Sequence, residues 1–180
     1  MNPDSKNKNV LELFNELEKD LNGRIIEVRQ LGVLFPNMAS HMMILFGGEI
    51  LKIVDEVSGA LASLFARQQS VHIGEEVFFR KAIMIGETTR IIFRVVHTTP
   101  KIIVVHTQIF GGEFDIQNFN LRYEGISLCG VLGPDGKLAP VPQLSLPAEK
   151  RNTQIAEIAQ NVVNFQKETI KKLDAWRENK

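Results

Sequence analysis

Pro36-Asn37-Met38-Ala39-Ser40-His41-Met42-Met43-Ile44-Leu45-Phe46-Gly47-Gly48-Glu49-Ile50-Leu51-Lys52-Ile53-Val54-Asp55-Glu56 opens a helix-sized apolar segment. From about Ile44 to Phe65 the run is apolar on nearly every face, and such a helix in a soluble protein is normally buried at the centre of a fold. Two features fit poorly with packing alone. Gly47 and Gly48 each cost roughly 1 kcal/mol relative to alanine inside a helix. Asp55 sits among Ile53, Val54, Val57 and Ala60, where a carboxylate needs a partner or a task. The spacing from Gly48 to Asp55 is close to two helical turns, so both lie on about the same face. A bare backbone patch and a carboxylate on one face of a buried helix point to a reactive site.

Working outward from this helix, residues 1–8 read as disordered. Val10, Leu13, Phe14, Leu17 and Leu21 predict a short amphipathic helix over 9–21, stopped by Gly23. Arg24 to Leu31 predicts a first strand. After about Arg67 four strand-like runs follow, Val71–Lys81, Glu87–Thr98, Lys101–Phe110 and Leu121–Leu132, rich in β-branched residues. Thr98-Thr99-Pro100-Lys101 marks a hairpin turn, and Gly133-Pro134-Asp135-Gly136 closes the last long strand. Pro140, Pro142 and Pro147 make an extended tail. From Ala148 a final helix carries Ile155, Ile158, Val162, Phe165, Ile170, Leu173 and Trp176 as one stripe on a charged rod. The order is strand, long helix, then several antiparallel strands, an α+β arrangement with the helix wrapped by a meander sheet. The expected division is an extension over 1–23, a single α+β domain over 24–146 and a C-terminal amphipathic helix over 147–180. One curved sheet covers only one side of the helix, which leaves apolar surface for a second copy.

The 180 residues favour one domain, and a 44% hydrophobic, 23% charged composition is ordinary for a soluble protein. Formal net charge is zero, so nothing favours nucleic acid or an anionic membrane as partner. No uninterrupted apolar run is long enough to span a bilayer, because Glu49, Lys52, Asp55 and Glu56 break the best candidate. The polar start Met1-Asn2-Pro3-Asp4-Ser5-Lys6 lacks an apolar signal core. The lone Cys129 excludes an intramolecular disulfide and a cysteine metal cluster, and makes a reduced, cytoplasmic setting the default. Within Ile126–Leu132 it reads as a small buried hydrophobe.

The segment Pro36–Glu56 resembles the hotdog-fold acyl-CoA thioesterases, in particular the cytosolic acyl-CoA hydrolase group. The matching residues are Pro36, His41, Phe46-Gly47-Gly48 and Asp55-Glu56. Phe79 with Ile85-Gly86-Glu87, then Val96-His97-Thr98, resemble that family's hairpins, and Asp135-Gly136-Lys137-Leu138-Ala139-Pro140-Val141-Pro142 resembles its turn and Pro-Val-Pro exit. The resemblance covers about residues 33–143. It implies a hotdog fold, a long central helix wrapped by a curved antiparallel sheet, here with N- and C-terminal helices added. It implies hydrolysis of acyl-coenzyme A to acid and free thiol without a cofactor, coenzyme A being part of the substrate. It also implies a homodimer with sheets joined edge to edge, assembled into a hexamer as a trimer of dimers. The chain departs from the pattern at Ser40, where the family has its active-site asparagine, and at Met43, where it has a glycine. Thr99-Pro100-Lys101-Ile102 replaces a Gly-Arg-Thr-Ser run that helps bind coenzyme A, Val71 replaces a threonine and Lys81 a proline.

Thioester hydrolysis needs a polarised carbonyl, an activated water and room for the leaving thiol. Backbone N–H groups at the start of the central helix sit at the positive end of its dipole, and glycines let an oxygen approach them closely. Gly48 is therefore the candidate oxyanion donor with Gly47 beside it; tight helix–sheet packing is the alternative reading of the pair. Asp55 is the candidate general base or nucleophile, and a buried structural carboxylate is its alternative. By the resemblance, Asp55 of one subunit faces Ser40 of the other, whose hydroxyl is left to orient water. Glu56, about 100° round the helix, reads as a structural or interface charge. His41 lies at the substrate entrance or is a plain loop residue; adjacent to Ser40 it makes a poor base–nucleophile pair. His72, His97 and His106 show no metal-ligand spacing with it. Phe46, Met38, Met42 and Met43 shape an acyl pocket, or Met43 blocks one. Arg80, Lys81 and Lys101 are candidates for the phosphates of coenzyme A, with solvated strand-end charges as the alternative. The leading expectation is an acyl-CoA thioesterase. A catalytically impaired homologue that binds acyl-CoA, or serves as an assembly partner, is the second reading, and a hotdog dehydratase the weakest third.

Overall fold

The computed structural model describes residues 18–33, 36–112 and 119–178. Five strands and two helices follow in the order β1 (Glu27–Val33), α1 (Gly47–Ala66), β2 (Ser70–Phe79), β3 (Thr88–Thr98), β4 (Ile103–Gly112), β5 (Asn120–Val131) and α2 (Lys150–Glu178). The strands form one antiparallel sheet in the order β1-β3-β4-β5-β2. The α+β hotdog architecture expected from the sequence is therefore the one observed. The strand order is not that of a simple meander. β1, laid down before α1, takes the free edge of β3, and β2 pairs with β5 at the opposite edge.

α1 packs on one face of this sheet. Val54, Leu61, Ala62 and Phe65 are buried against Phe93, Val95, Ile103, Val105, Ile109 and Tyr123. Burying a side chain such as Leu61 or Phe65 stabilises by about 1.5–3 kcal/mol each, and these contacts fix the height of α1 over the sheet. The helix is not buried all round, as its composition suggested. Gly48, Lys52, Asp55, Glu56, Ala60 and Leu64 lie on an exposed face, with Leu64 55% exposed. It also starts at Gly47 instead of Ile44. Phe46 is extended (φ −68°, ψ 129°), and the two residues before it are held in bridges, Leu45 to Ala39 and Ile44 to Met84. α1 ends on Arg67, whose left-handed backbone (φ 55°) turns its N–H back to the Ser63 carbonyl.

The other expected boundaries hold to within about three residues. The expected helix over 9–21 and the disordered start lie mostly outside the described residues, and 18–21 are not helical. Lys19 bridges Ile25, and the buried Asp20 carboxylate closes the turn between them. Asp20 accepts from the N–H groups of Asn22 and Arg24 and from the Arg24 guanidinium. Burial pushes that carboxyl up, but these hydrogen bonds outweigh it and hold it below the usual carboxylate range. The guanidinium also covers the Phe65 ring at 4.9 Å, tying this segment to the end of α1.

The sheet's other face carries α2. Ala159 and Val163 are fully buried there against Val96, Ile102, Val104, Ile126 and Leu128. No helix among the described residues is long and apolar enough to cross a membrane.

Candidate active site

The loop before α1 is a short hairpin. Ser40 N–H donates to the Ile44 carbonyl at 2.8 Å, and Met43 N–H to the Ser40 carbonyl at 3.0 Å. His41, Met42 and Met43 form its tip and are all exposed. This is a three-residue turn whose last position sits in the left-handed region, a place glycine favours. Met43 occupies it with φ 59°. The half-buried Ser40 uses its hydroxyl locally, since Oγ accepts the N–H of Met42 at 3.3 Å.

The hairpin delivers the chain to Gly47 and Gly48. Their N–H groups fall in the first turn, where no intrahelical carbonyl reaches them. A Cβ on Gly48 would stand 2.6 Å from the ring of Phe46, and one on Gly47 would meet only ordinary contact with Phe79 at 3.4 Å. Gly48 therefore makes room for the exposed Phe46 ring while its backbone stays open.

Asp55 stands about 10 Å further along the axis from Gly48. Its carboxylate is 61% exposed and pairs, among the described residues, with His72, whose Nδ1 stands 2.7 Å from Oδ1. The contact is close but not aligned as a hydrogen bond. The other ring nitrogen of His72, Nε2, is 2.9 Å from the Gly74 carbonyl, which only accepts. Nε2 is therefore the donor in that contact, which leaves Nδ1 facing Asp55. Three residues on, Glu75 accepts the Tyr123 hydroxyl at 2.7 Å. Burial pushes the Glu75 carboxyl up; Tyr123 and His72 pull against it, and the charge of Asp55 adds to it. The same burial, with Glu75 beside it, drives the Tyr123 phenol far above its usual range. Asp55 with His72, and Glu75 with Tyr123, thus form two polar pairs under α1 on β2 and β5, the first acting on Glu75 through its charges.

The remaining residues are dispersed within one chain. Arg80 binds Glu124 at 3.1 Å and lies over the Phe78 ring at 5.4 Å. Glu124 also faces His106 and Gln108, on the sheet face away from α1. Burial raises the Glu124 carboxyl, but these partners prevail and hold it low. Lys101 is exposed on the β3–β4 turn, where its carbonyl neighbours Gly130, whereas Arg80 N–H bonds the Arg122 carbonyl. Eight residues of β5, about 26 Å, separate those two points. Cys129 is fully buried, and burial with the nearby charge of Asp55 pushes its thiol up to about 12, so it is no nucleophile. A cleft of about 400 Å³ lies between Val96–Thr98, the Gln143–Ala148 segment and the start of α2. It is on the opposite face of the sheet from Asp55.

The Thioesterase superfamily model matches residues 42–113, from the hairpin tip through β4, with Asp55 and His72 inside it. No curated protein matches the chain. Among solved structures, the acyl-CoA hydrolase from Staphylococcus aureus in complex with butyryl coenzyme A, coenzyme A and coenzyme A disulfide is 21% identical. It superposes with a TM-score of 0.76 over 84% of this chain and 93% of that one. The acyl-CoA hydrolase from Bacillus cereus gives 20% identity and a TM-score of 0.73, over 84% and 91%. A hexameric acyl-CoA thioesterase in its apo form gives 21% and 0.72, over 80% and 92%. At these identities the likeness is one of fold: the chain has the hotdog fold of acyl-CoA thioesterases. The resemblance drawn from Phe46-Gly47-Gly48 and Asp55-Glu56 stands on both comparisons.

Proposed function

We propose that the protein is an acyl-CoA thioesterase that hydrolyses acyl-coenzyme A to the free acid and coenzyme A. The observation that carries this is the exposed Asp55 carboxylate, flanked by His72, on the open face of a helix that begins with two glycines. Asp55 takes a proton from water, and the hydroxide attacks the thioester carbonyl. The oxyanion is held by the N–H of Gly48, beside Gly47, from the second copy, because within one chain Gly48 lies about 10 Å from Asp55; such a contact is worth about 3 kcal/mol of barrier. The tetrahedral intermediate collapses with loss of the coenzyme A thiolate, which takes the proton back from Asp55. His72 steadies Asp55, and Ser40 of a second copy orients the water. Phe46, Met43 and His41 border the acyl group at the mouth. Arg80 and Lys101 meet coenzyme A phosphates from separate subunits, because one chain holds them too far apart.

Support for the substrate comes from the neighbours: the Staphylococcus enzyme was solved with butyryl coenzyme A, and a Streptococcus mutans protein of this fold with acetyl-CoA. Support for assembly comes from two of them being described as hexameric. We read this chain likewise as a homodimer joined along β2, built into a hexamer as a trimer of dimers. The lone buried thiol fits a reducing, cytoplasmic setting. The test is thiol release from acyl-CoAs of graded chain length by the parent and by Asp55→Asn. The expected result is turnover in the parent and a loss of about 10²–10⁴-fold in the variant. Turnover indifferent to Asp55 refutes the mechanism.

One observation favours a second reading, an impaired homologue that binds acyl-CoA. One lone pair of the Ser40 hydroxyl is taken by the Met42 N–H, and the side chain lacks the amide donors of an asparagine. Binding of acyl-CoA without hydrolysis, unchanged by Ser40→Asn with Met43→Gly, selects that reading.

A further inference from the structure

α2 is longer than the surface it covers. Its 29 residues span about 43 Å. The docked part is Ile155, Ala159, Val162 and Val163, seated on β3, β4 and β5. Gln166 marks the next contact, and it lies over β2: a Cβ on Gly74 would stand 2.1 Å from its Oε1. Among the described residues β2 is the last strand of the sheet, paired with β5 on one side only. Lys167–Glu178, about 18 Å of helix, therefore extends past the sheet edge.

The sequence of this overhang does not turn polar on its inner side. Ala159, Val163, Gln166, Ile170 and Leu173 follow in steps of four, three, four and three, which keeps them on one helix face. The face that lies on the sheet thus continues beyond it, with Ile170 55% and Leu173 47% exposed. Trp176 and Phe165 flank it, 57% and 59% exposed. What the pattern asks for at that place is more sheet.

We propose that the overhang of α2 lies on the outer face of a second copy of this chain, reached across the β2 edge, so that the two C-terminal helices clamp a continuous sheet. This rests on the reading that two copies join along β2. Strands in a sheet are about 4.8 Å apart, so 18 Å of helix crosses nearly four strands of the neighbour. A two-fold axis at the junction makes the contact reciprocal, each helix covering the other copy. The neighbour's outer face offers apolar surface next to the junction: Phe78 is 48% exposed there, on the same side as Glu124.

Trp176 is the only tryptophan of the chain, which makes its fluorescence a direct reporter of the overhang. Sedimentation equilibrium and acrylamide quenching are run on the full chain over a range of concentrations, for the parent and for Ile170→Asp with Leu173→Asp. In the parent, Trp176 becomes shielded from quencher as dimer forms. The double variant weakens dimerisation by about 100-fold or more, since two apolar side chains per copy lose their cover. Its far-ultraviolet circular dichroism stays that of the parent. A parent that dimerises with Trp176 fully quenchable, or a variant that dimerises as tightly as the parent, overturns the clamp and leaves the β2 junction standing. A parent that stays monomeric at micromolar concentration overturns both. Shielding that appears only with added phospholipid vesicles assigns the stripe to a lipid surface and also overturns the clamp.

Discussion

Tyr123→Phe removes one oxygen from a fully buried side chain and isolates one interaction, the 2.7 Å hydrogen bond to Glu75. The ring stays, with its edge-to-face contact on Phe79 at 5.6 Å. A hydrogen bond to a charged group is worth about 1.5–3 kcal/mol and a neutral one about 1. The loss at neutral pH is therefore about 2 kcal/mol, or roughly 4–8 °C in Tm for a chain of this length. The pH dependence follows from Glu75, whose folded carboxyl lies above its ordinary value because of burial, with the Tyr123 bond opposing that rise. A raised carboxyl gives stability that is complete below about pH 4.5 and is lost as pH climbs through the folded value. Removing Tyr123 lifts Glu75 further, so the deficit of the variant is small at pH 4 and grows above it. The assay is thermal unfolding of parent and variant at fixed protein concentration from pH 4 to pH 8, with Glu75→Gln as the control that flattens the trend. A Tm difference of the same size at both ends of that range would refute the assignment of Glu75 as the partner that matters. Gly125→Ala offers a second route to the same state, because its Cβ would stand 2.4 Å from the Tyr123 hydroxyl.

Asp20→Asn costs about 1.5–3 kcal/mol near neutrality, the worth of hydrogen bonds to a charged group. Its folded carboxyl is held low, so the parent's advantage is present above about pH 4 and closes as pH falls below it, measured by acid unfolding. Met43→Gly relieves a left-handed backbone worth about 1–2 kcal/mol. The entropy of glycine, about 0.5–1 kcal/mol, offsets part of that, so urea unfolding shows no loss of stability despite the deleted side chain. Ser40→Asn joined to it raises thioester turnover, read as kcat in the thiol-release assay. Gly48→Ala lowers kcat more than KM, since its Cβ displaces the Phe46 ring into the approach to the N–H groups; equal activity in that variant sinks the oxyanion role.

Much of the fold was legible because its signals are local. The β-branched runs, the Thr99-Pro100 hairpin and the Gly133–Gly136 turn set strand limits to within a few residues. The place of β2 was not local. Which edge it takes depends on β1 having claimed β3, a pairing between segments on either side of α1. The start of α1 was misjudged for a related reason. Ile44 and Leu45 are as apolar as the helix that follows, yet they bridge to Ala39 and Met84. Tertiary pairing overrides the apolar pattern there, and the change to helix comes at the glycines.

The site shows the same limit at finer scale. Gly47, Gly48 and Asp55 stand out in the sequence by their misfit with a packed helix, whereas Glu75 and Tyr123 do not, and His72 is weighed only for metal-ligand spacing. A regular strand turns residues three apart to opposite faces, so His72 and Glu75 read as unrelated. The structure has a register shift between His72 and Gly74. The extra residue reverses the phase of the strand, and both side chains come round to the α1 face, His72 opposite Cys129 and Glu75 opposite Ser127. Gly74 inside a strand was the one available hint, since an interior glycine often marks a bulge. Here it does two things at once. Its neighbour bulges to aim His72 at Asp55, and its own missing Cβ lets Gln166 of α2 settle over the edge strand from the other side. The bulge that aims His72 at Asp55 and the contact from which α2 leaves the sheet thus lie at one point of β2, the strand along which we propose that a second copy joins.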